Sequence, residues 1–297
     1  MSDGRIVAGA LAPHPPHLVY AENPPQNEPR AECGWETLRW AYERLRTDLD
    51  AASAEVLVVL SPHWQTYVGT HVLGVPHLES LSVDPIFPNL FRYQYALDVD
   101  VEFAEALHDA GRAAGLTMQM MRNPDFRVDY GTLVSCHLLD PAWRRPIVGI
   151  SSCRGAAYYN VEVMQEQALA LAEATKAAVA ATGKKVALVA SESLSHRHFV
   201  TEGPVPEDMS REHVESHAQY LWDMRLIRQM KEGKTRQMFD QMPEFVDQAV
   251  SEADSGALSW LLAALDFPAY PAEVYGYGTV IGTGNVVAGW FPPEGDR

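Results

Sequence analysis

Cysteine is scarce: Cys33, Cys136 and Cys153 are the three in 297 residues, and no two form a CxxC pair. That spacing holds no disulfide framework, so a reducing, cytoplasmic setting is expected. Long apolar runs are missing too, and none approaches the ~20 residues that span a bilayer. The most apolar helical stretch, Ala168 to Ala181, is broken by Glu173 and Lys176. No basic region followed by an apolar segment opens the chain, so no signal peptide is expected. Positive charge is in short supply, with 23 Lys and Arg against 39 Asp and Glu and a net charge of −16. This argues against a nucleic-acid partner, because phosphate binding needs basic side chains. There is no internal repeat and no Gly/Ser/Pro-rich linker, so residues 1–297 are expected to form one domain. HExxH and GxSxG are both absent, which removes two metalloprotease and hydrolase signatures.

What is present is an alternation of apolar runs and helical periodicities. Hydrophobic residues make up 47% of the chain, ample for a large core. Arg5–Leu11, Glu55–Ser61, Pro146–Ser151 and Lys185–Ala190 are β-rich and nearly continuous in apolarity, the mark of strands covered on both faces. Shorter strands are expected near Tyr67–Val75, Tyr93–Val99 and Leu116–Met121. Helices are expected over Trp35–Asp50, Val101–Ala114, Leu133–Leu139 and Asn160–Thr182, then Glu212–Lys231, Lys234–Gln241, Pro243–Val250 and Gly256–Leu265. Two closing strands, Glu273–Thr283 and Asn285–Trp290, are joined through Gly282–Asn285. The pattern is α/β, a mainly parallel central sheet flanked by helices. Polar loops Ala21–Arg30 and Asp84–Asn89 interrupt it.

The chemistry collects where strands stop. The first strand runs into Ala12-Pro13-His14-Pro15-Pro16-His17, a loop stiffened by three prolines. The second runs into Ser61-Pro62-His63-Trp64, and Lys185–Ala190 runs into Ser191-Glu192-Ser193-Leu194-Ser195-His196-Arg197-His198. In open α/β sheets ligands bind beyond the carboxyl ends of the strands. If the strands are parallel neighbours, three imidazoles share one edge. Two histidines and a carboxylate would suit Fe(II) with open positions for substrate and dioxygen. Zinc with three protein ligands, activating water, suits the same pattern. Glu192, Glu244, Glu252 and Asp254 are all candidate carboxylates, and spacing does not choose among them.

Other features carry less. His213 and His217 share a helix face at a zinc-compatible spacing, but in polar surroundings. Gly282-x-Gly284 precedes a strand, so no helix N-terminus is offered to a phosphate. Ser191, Ser193 and Ser195 beside His196 lack a nucleophile elbow. Cys136 falls in a helix and is expected in the core.

APHPPHL, SPHW, VDYGT, ASESLSHRHF and MPEFVDQAVSEADSGA occur in that order. As an ordered set, from Ile6 to about Trp290, they resemble the type III extradiol ring-cleaving dioxygenases. LAPHPPHLVYAENPPQNEPR, MMRNPDFRVDYGT and GYGTVIGTGN are similar to the branch of that family that cleaves 2-aminophenol. The resemblance implies that His14, His63 and Glu252 ligate Fe(II), that His196 is the acid–base histidine, and that Tyr130 lines the substrate pocket. It gives His17 no metal role, leaving a pocket-wall or hydrogen-bonding one. It implies ring cleavage of a 2-aminophenol by O2 to a 2-aminomuconic semialdehyde, with a catechol (a substituted catechol or protocatechuate) as the alternative substrate. It further implies an oligomer, with a metal-free α subunit of the same fold as one partner. A non-catalytic binding protein on this fold is the rival from another class, and it would be expected to lack part of the ligand set.

Overall fold

The computed structural model describes residues 4–22, 35–83, 92–153, 160–196, 214 and 216–293. Strands β1 (Arg5–Leu11), β2 (Val56–Thr66), β3 (Thr70–Leu73), β4 (His77–Val83), β5 (Arg92–Asp98), β6 (Met118–Met121), β7 (Ile147–Cys153), β8 (Lys185–Ala190), β9 (Glu273–Val280) and β10 (Thr283–Trp290) form two sheets. The helices are α1 (Pro16–Glu22), α2 (Trp35–Ala51), α3 (Val101–Ala113), α4 (Tyr130–Leu139), α5 (Val161–Thr182), α6 (His217–Lys231), α7 (Thr235–Asp240), α8 (Met242–Ala249) and α9 (Gly256–Ala264).

The large sheet has eight strands in the order β6-β3-β7-β2-β8-β1-β10-β9, and β4 pairs with β5 in a separate hairpin. Its centre is parallel: β7 with β2, β2 with β8, and β8 with β1. β10 runs antiparallel to both β1 and β9. Alternation along β2 separates the two cores. Val56, Val58 and Leu60 face the layer containing α3, α5 and α6 to α9, while Leu57 and Val59 face α2, α4 and the β4–β5 hairpin. That double cover explains why the central strands are apolar throughout. Every residue of α9 is buried, so it reads as apolar on all sides rather than amphipathic. Among the described residues no helix is long and apolar enough to cross a membrane.

Several boundaries differ from the sequence reading for identifiable reasons. The proline-rich loop is shorter, because Pro16 opens α1; proline is well suited to the first helical position, where its missing N–H costs nothing. His17 thus lies on a helix. β2 continues past Ser61 to Thr66, with its register against β7 shifting between Ser61 and Gln65. That irregularity accommodates Pro62, which cannot donate to a ladder. α4 begins three residues early, at Tyr130, because Asp129 caps it by accepting from Thr132 N. The expected strand over Tyr67–Val75 is shorter, and the separate β4 follows it. The last hairpin turns at Ile281 and Gly282, both at positive φ (48° and 74°) between the paired Val280 and Thr283. This is the two-residue turn whose twist matches its strands. α6 starts at His217, capped by Ser216, later than the pattern from Glu212. Glu212, His213, His198 and Cys33 lie outside the described residues, as do Asp84–Asn89 and all but the start of Ala21–Arg30.

Phe103 on α3 is fully buried in the larger core cluster. Phe103→Ala is expected to cost roughly 3–5 kcal/mol, measured as a lower urea midpoint with an unchanged slope.

Candidate metal centre

The three histidines do share an edge, but the geometry has an extra member. β1 and β2 are not neighbours; β8 lies between them and is parallel to both. Ala12 N donates to Ala190 O at 2.9 Å, so β1 and β8 stay in register to the end of the sheet. His14 follows β1, His63 sits in the irregular end of β2, and His196 lies beyond β8.

His14, His63 and Glu252 each offer one ligand atom, and these atoms all lie within 4.8 Å of one another. His63 Nε2 is 2.9 Å from Glu252 Oε1, and His14 Nε2 is 3.2 Å from the same oxygen. The two imidazole rings meet edge to face at 4.6 Å. His196 Nε2 stands further back, 3.8 Å from Glu252 Oε1. The Tyr130 hydroxyl lies 2.8 Å from His63 Nε2, on the side of the ring that faces the carboxylate. Glu252 is 5% exposed. Burial alone would push its carboxyl up, but His14, His63 and His196 outweigh that and hold it well below the usual range. Its other oxygen accepts from Ser193 N at 3.1 Å and Ser193 Oγ at 3.2 Å. Two neutral nitrogen donors and one anionic oxygen donor, converging and sheltered, form a donor set that suits a divalent transition metal.

The backbone that presents Glu252 is unusual. After α8, Val250 (φ 53°), Ala253 (47°), Asp254 (56°) and Ser255 (52°) all occupy left-handed conformations without being glycine. Each such residue costs of order 1–3 kcal/mol unless its surroundings impose it, and such residues gather at functional sites. Here the surroundings are ties to the chain after β8. His196 N donates to Val250 O at 3.1 Å, and Ser195 and Ser251 form an antiparallel bridge.

Residues that sequence reasoning did not single out hold the rest. Asp129 Oδ1 accepts from Ser61 Oγ at 2.5 Å, and Ser61 Oγ accepts from His63 N at 3.2 Å, which ties the cap of α4 to the histidine on β2. Gly131 is needed there: a Cβ would come within 2.6 Å of Ser61 Oγ and 3.1 Å of the His63 ring. The Tyr42 hydroxyl donates to Pro13 O and anchors the loop that carries His14. Behind His196, fully buried Asp223 accepts from Ser195 N (2.9 Å), Ser195 Oγ (2.8 Å) and the Tyr277 hydroxyl (2.7 Å). Burial nevertheless pushes its carboxyl up to about 6. The DYGT motif hinted at Asp129; nothing local in the sequence pointed to Asp223, because its partners are 28 and 54 residues away.

The other candidates separate cleanly. Glu192 is buried at the start of α9, accepts from Leu258 N at 2.9 Å, and is pushed up by burial. Glu244 lies on α8 and accepts from Gln248 at 3.3 Å. Asp254 belongs to the 3-10 turn Glu252–Ser255 but not to the ligand cluster. His17 packs its ring 5.1 Å from that of Trp35 and is not in the ligand cluster. His217 opens α6, with its ring stacked near Tyr220. Cys136 is fully buried, as expected.

The family model for the catalytic LigB subunit of aromatic ring-opening dioxygenase matches residues 8–288. The beta subunit of a 2-aminophenol 1,6-dioxygenase from a Pseudomonas species is 50% identical over 290 residues, covering 98% of this chain and 95% of that one. The alpha subunit of a 2-aminophenol 1,6-dioxygenase, also from a Pseudomonas species, is 25% identical over 85% of this chain and 90% of its own length. The 3,4-dihydroxyphenylacetate 2,3-dioxygenase of Escherichia coli is 22% identical, covering 92% of this chain and 94% of that one. Among solved structures, an uncharacterized protein from Escherichia coli K12 superposes with a TM-score of 0.61 over 95% of this chain and 99% of that one, at 16% identity. That last likeness concerns the fold.

Because Asp223 is raised to about 6 from 3.8, its contribution to stability is fully present below the unfolded value and is lost as pH climbs through about 6. Asp223→Asn removes that dependence. Relative to the parent, the variant is expected to gain up to about 3 kcal/mol between pH 3.5 and pH 7, read from paired denaturation curves at the two pH values.

Proposed function

The chain belongs to the family of catalytic LigB subunits of aromatic ring-opening dioxygenases, and on that premise we propose that it cleaves the ring of 2-aminophenol or a substituted 2-aminophenol beside the two heteroatoms. The observation that carries the reading is the cluster of His14, His63 and Glu252 inside a chain 50% identical to a beta subunit of 2-aminophenol 1,6-dioxygenase. In this reading both atoms of O2 enter the product, a 2-aminomuconic semialdehyde.

His14, His63 and Glu252 would hold Fe(II). When bound, iron would supply a Lewis-acid centre that brings the chelating aromatic and dioxygen together and conducts electrons between them. The protein does the rest. With His14, His63 and Glu252 as the protein's donors, both reactants would be positioned without a bimolecular encounter. Ser193 secures the second Glu252 oxygen, which keeps the first directed between the two histidines. His196 Nε2 takes the phenolic proton of the entering substrate and later returns a proton to the developing oxygen. Its distance of 3.8 Å from Glu252 Oε1 suits a group beside the ligand set rather than in it. The Tyr130 hydroxyl, next to His63, offers a hydrogen bond to a substrate heteroatom. We also propose that the chain works in a hetero-oligomer with a second subunit of the same fold. The relatives named as alpha and beta subunits of one enzyme class support this.

Oxygen uptake with 2-aminophenol and catechol side by side, with Fe(II) and ascorbate present, tests the activity. Uptake with 2-aminophenol is expected, and none with either compound, alone or with a co-expressed alpha-type subunit, would sink the assignment. Anaerobically purified Glu252→Ala is expected to lose both stoichiometric iron and turnover. His196→Asn is expected to keep its iron while turnover falls on the order of 10²–10⁴-fold; metal analysis and oxygen uptake on one preparation check both halves.

A further inference from the structure

Ser191 is fully buried and makes three polar contacts. Its Oγ lies 2.9 Å from His14 Nδ1, 2.9 Å from Gly131 O and 2.9 Å from Ser135 Oγ. Ser135, also fully buried, has its own Oγ 2.7 Å from Ala12 O. The protons in this group can be counted. A hydroxyl has one proton to give and two lone pairs to receive with. Ala12 O and Gly131 O are carbonyl oxygens and can only accept. Ser135 Oγ is placed to donate to Ala12 O, and Ser191 Oγ to Gly131 O. The lone pairs of Ser191 then face His14 Nδ1 at 2.9 Å, an arrangement that a hydrogen on that nitrogen completes.

We infer that Ser191 is a positioning residue that fixes His14 as the Nδ1–H tautomer, through the relay His14 Nδ1–H to Ser191 Oγ–H to Gly131 O, and so leaves Nε2 free to bind metal. The inference rests on the proposed role of His14 as a ligand. Neutral imidazole has one proton for two nitrogens, so a proton held on Nδ1 cannot sit on Nε2. Nε2 is the atom 3.2 Å from Glu252 Oε1. If Ser191 instead donated to Nδ1, the ring proton would move to Nε2 and point into the ligand cluster. The two carbonyls favour the first arrangement, because each offers a hydroxyl proton an acceptor away from the histidine. The acceptor is set by the fold rather than by a mobile side chain. Gly131 is in the first turn of α4, Ala12 directly follows β1, and Ser191 directly follows β8. Three elements must be in place before His14 can present the right nitrogen.

Zn(II) titration of metal-free protein against a competing chelator reads the consequence without catalysis. Ser191→Ala is expected to weaken Zn(II) binding 10–100-fold, the usual effect of losing a partner behind a ligand. Ser191→Thr, which keeps the hydroxyl, is expected to bind as the parent does. In the Zn(II)-loaded parent, two-bond 1H–15N correlations should put the His14 proton on Nδ1, slow to exchange with water; in Ser191→Ala that proton should exchange fast. A metal-loaded parent with the His14 proton on Nε2 overturns the inference, even if Ser191→Ala does not fold. So does a Ser191→Ala protein that binds Zn(II) as the parent does, or one in which the Nδ1 proton stays protected. His14→Ala separates the two levels: undiminished Zn(II) affinity there sinks the ligand reading itself.

Discussion

A carboxylate removed from water is the constraint around which the site is arranged. Glu252 is almost wholly buried, and the desolvation of such an ion costs several kcal/mol that must be offset locally. The described ion pairs of Glu252 are all with imidazoles: His14, His63 and His196. A histidine has no fixed charge, unlike arginine, so the offset depends on protonation or on a shared cation. An arginine would neutralise the carboxylate permanently and occupy the space where a metal and its reactants must come and go. Histidines leave the pocket electrostatically hungry, and that is the property a metal site needs.

The same constraint gives the strained turn its reason. Four of the six residues from Val250 to Ser255 sit in left-handed conformations. A relaxed helix end would continue α8 into α9 and carry Glu252 elsewhere. The turn reverses abruptly, and its unfavourable conformations are held by His196 N on Val250 O, by the Ser195–Ser251 bridge, and by Gln219 Nε2 donating to Ala249 O at 3.1 Å. Backbone energy is thus exchanged for the placement of one oxygen between two histidines. The hydroxyl and amide of Ser193 then keep that oxygen's twin from rotating in.

Much of this was legible in the sequence, and the limits were physical. Apolar β-branched runs announced the central strands because both faces are covered, and His14 and His63 were marked by proline beside a strand end. Their shared edge was legible only as a condition, since sequence spacing does not give strand order; the structure inserts β8 between β1 and β2. Boundaries failed where a cap or a proline overrode periodicity: Asp129 starts α4 early, Pro16 starts α1 inside a presumed loop, and Pro62 bends rather than ends β2. Residue spacing could not choose among four carboxylates, because the choice is made by a turn whose left-handed residues are not glycine. Family resemblance pointed to Glu252, which is the carboxylate the fold brings to the histidines. Asp223 stayed invisible, since a buried acid on a helix looks like any helical acid until its partners arrive from distant segments.

The serines after β8 show how a pattern can be seen and still be misread. Ser191, Ser193 and Ser195 beside a histidine resemble a hydrolase signature, and the missing elbow argues that down. Their spacing of two has a different meaning. Each of the three meets a different group: Ser191 meets His14, Ser193 meets Glu252, and Ser195 meets Asp223. Between them Glu192 and Leu194 turn into buried surroundings, and His196 ends the run beside the carboxylate. The segment meets in turn the histidine after β1, the acid of the strained turn and the acid of α6. A strand that carries none of the three clustered residues is thus followed by side chains that tie down two of them, His14 and Glu252. It can do so because β8 lies between β1 and β2 in the sheet.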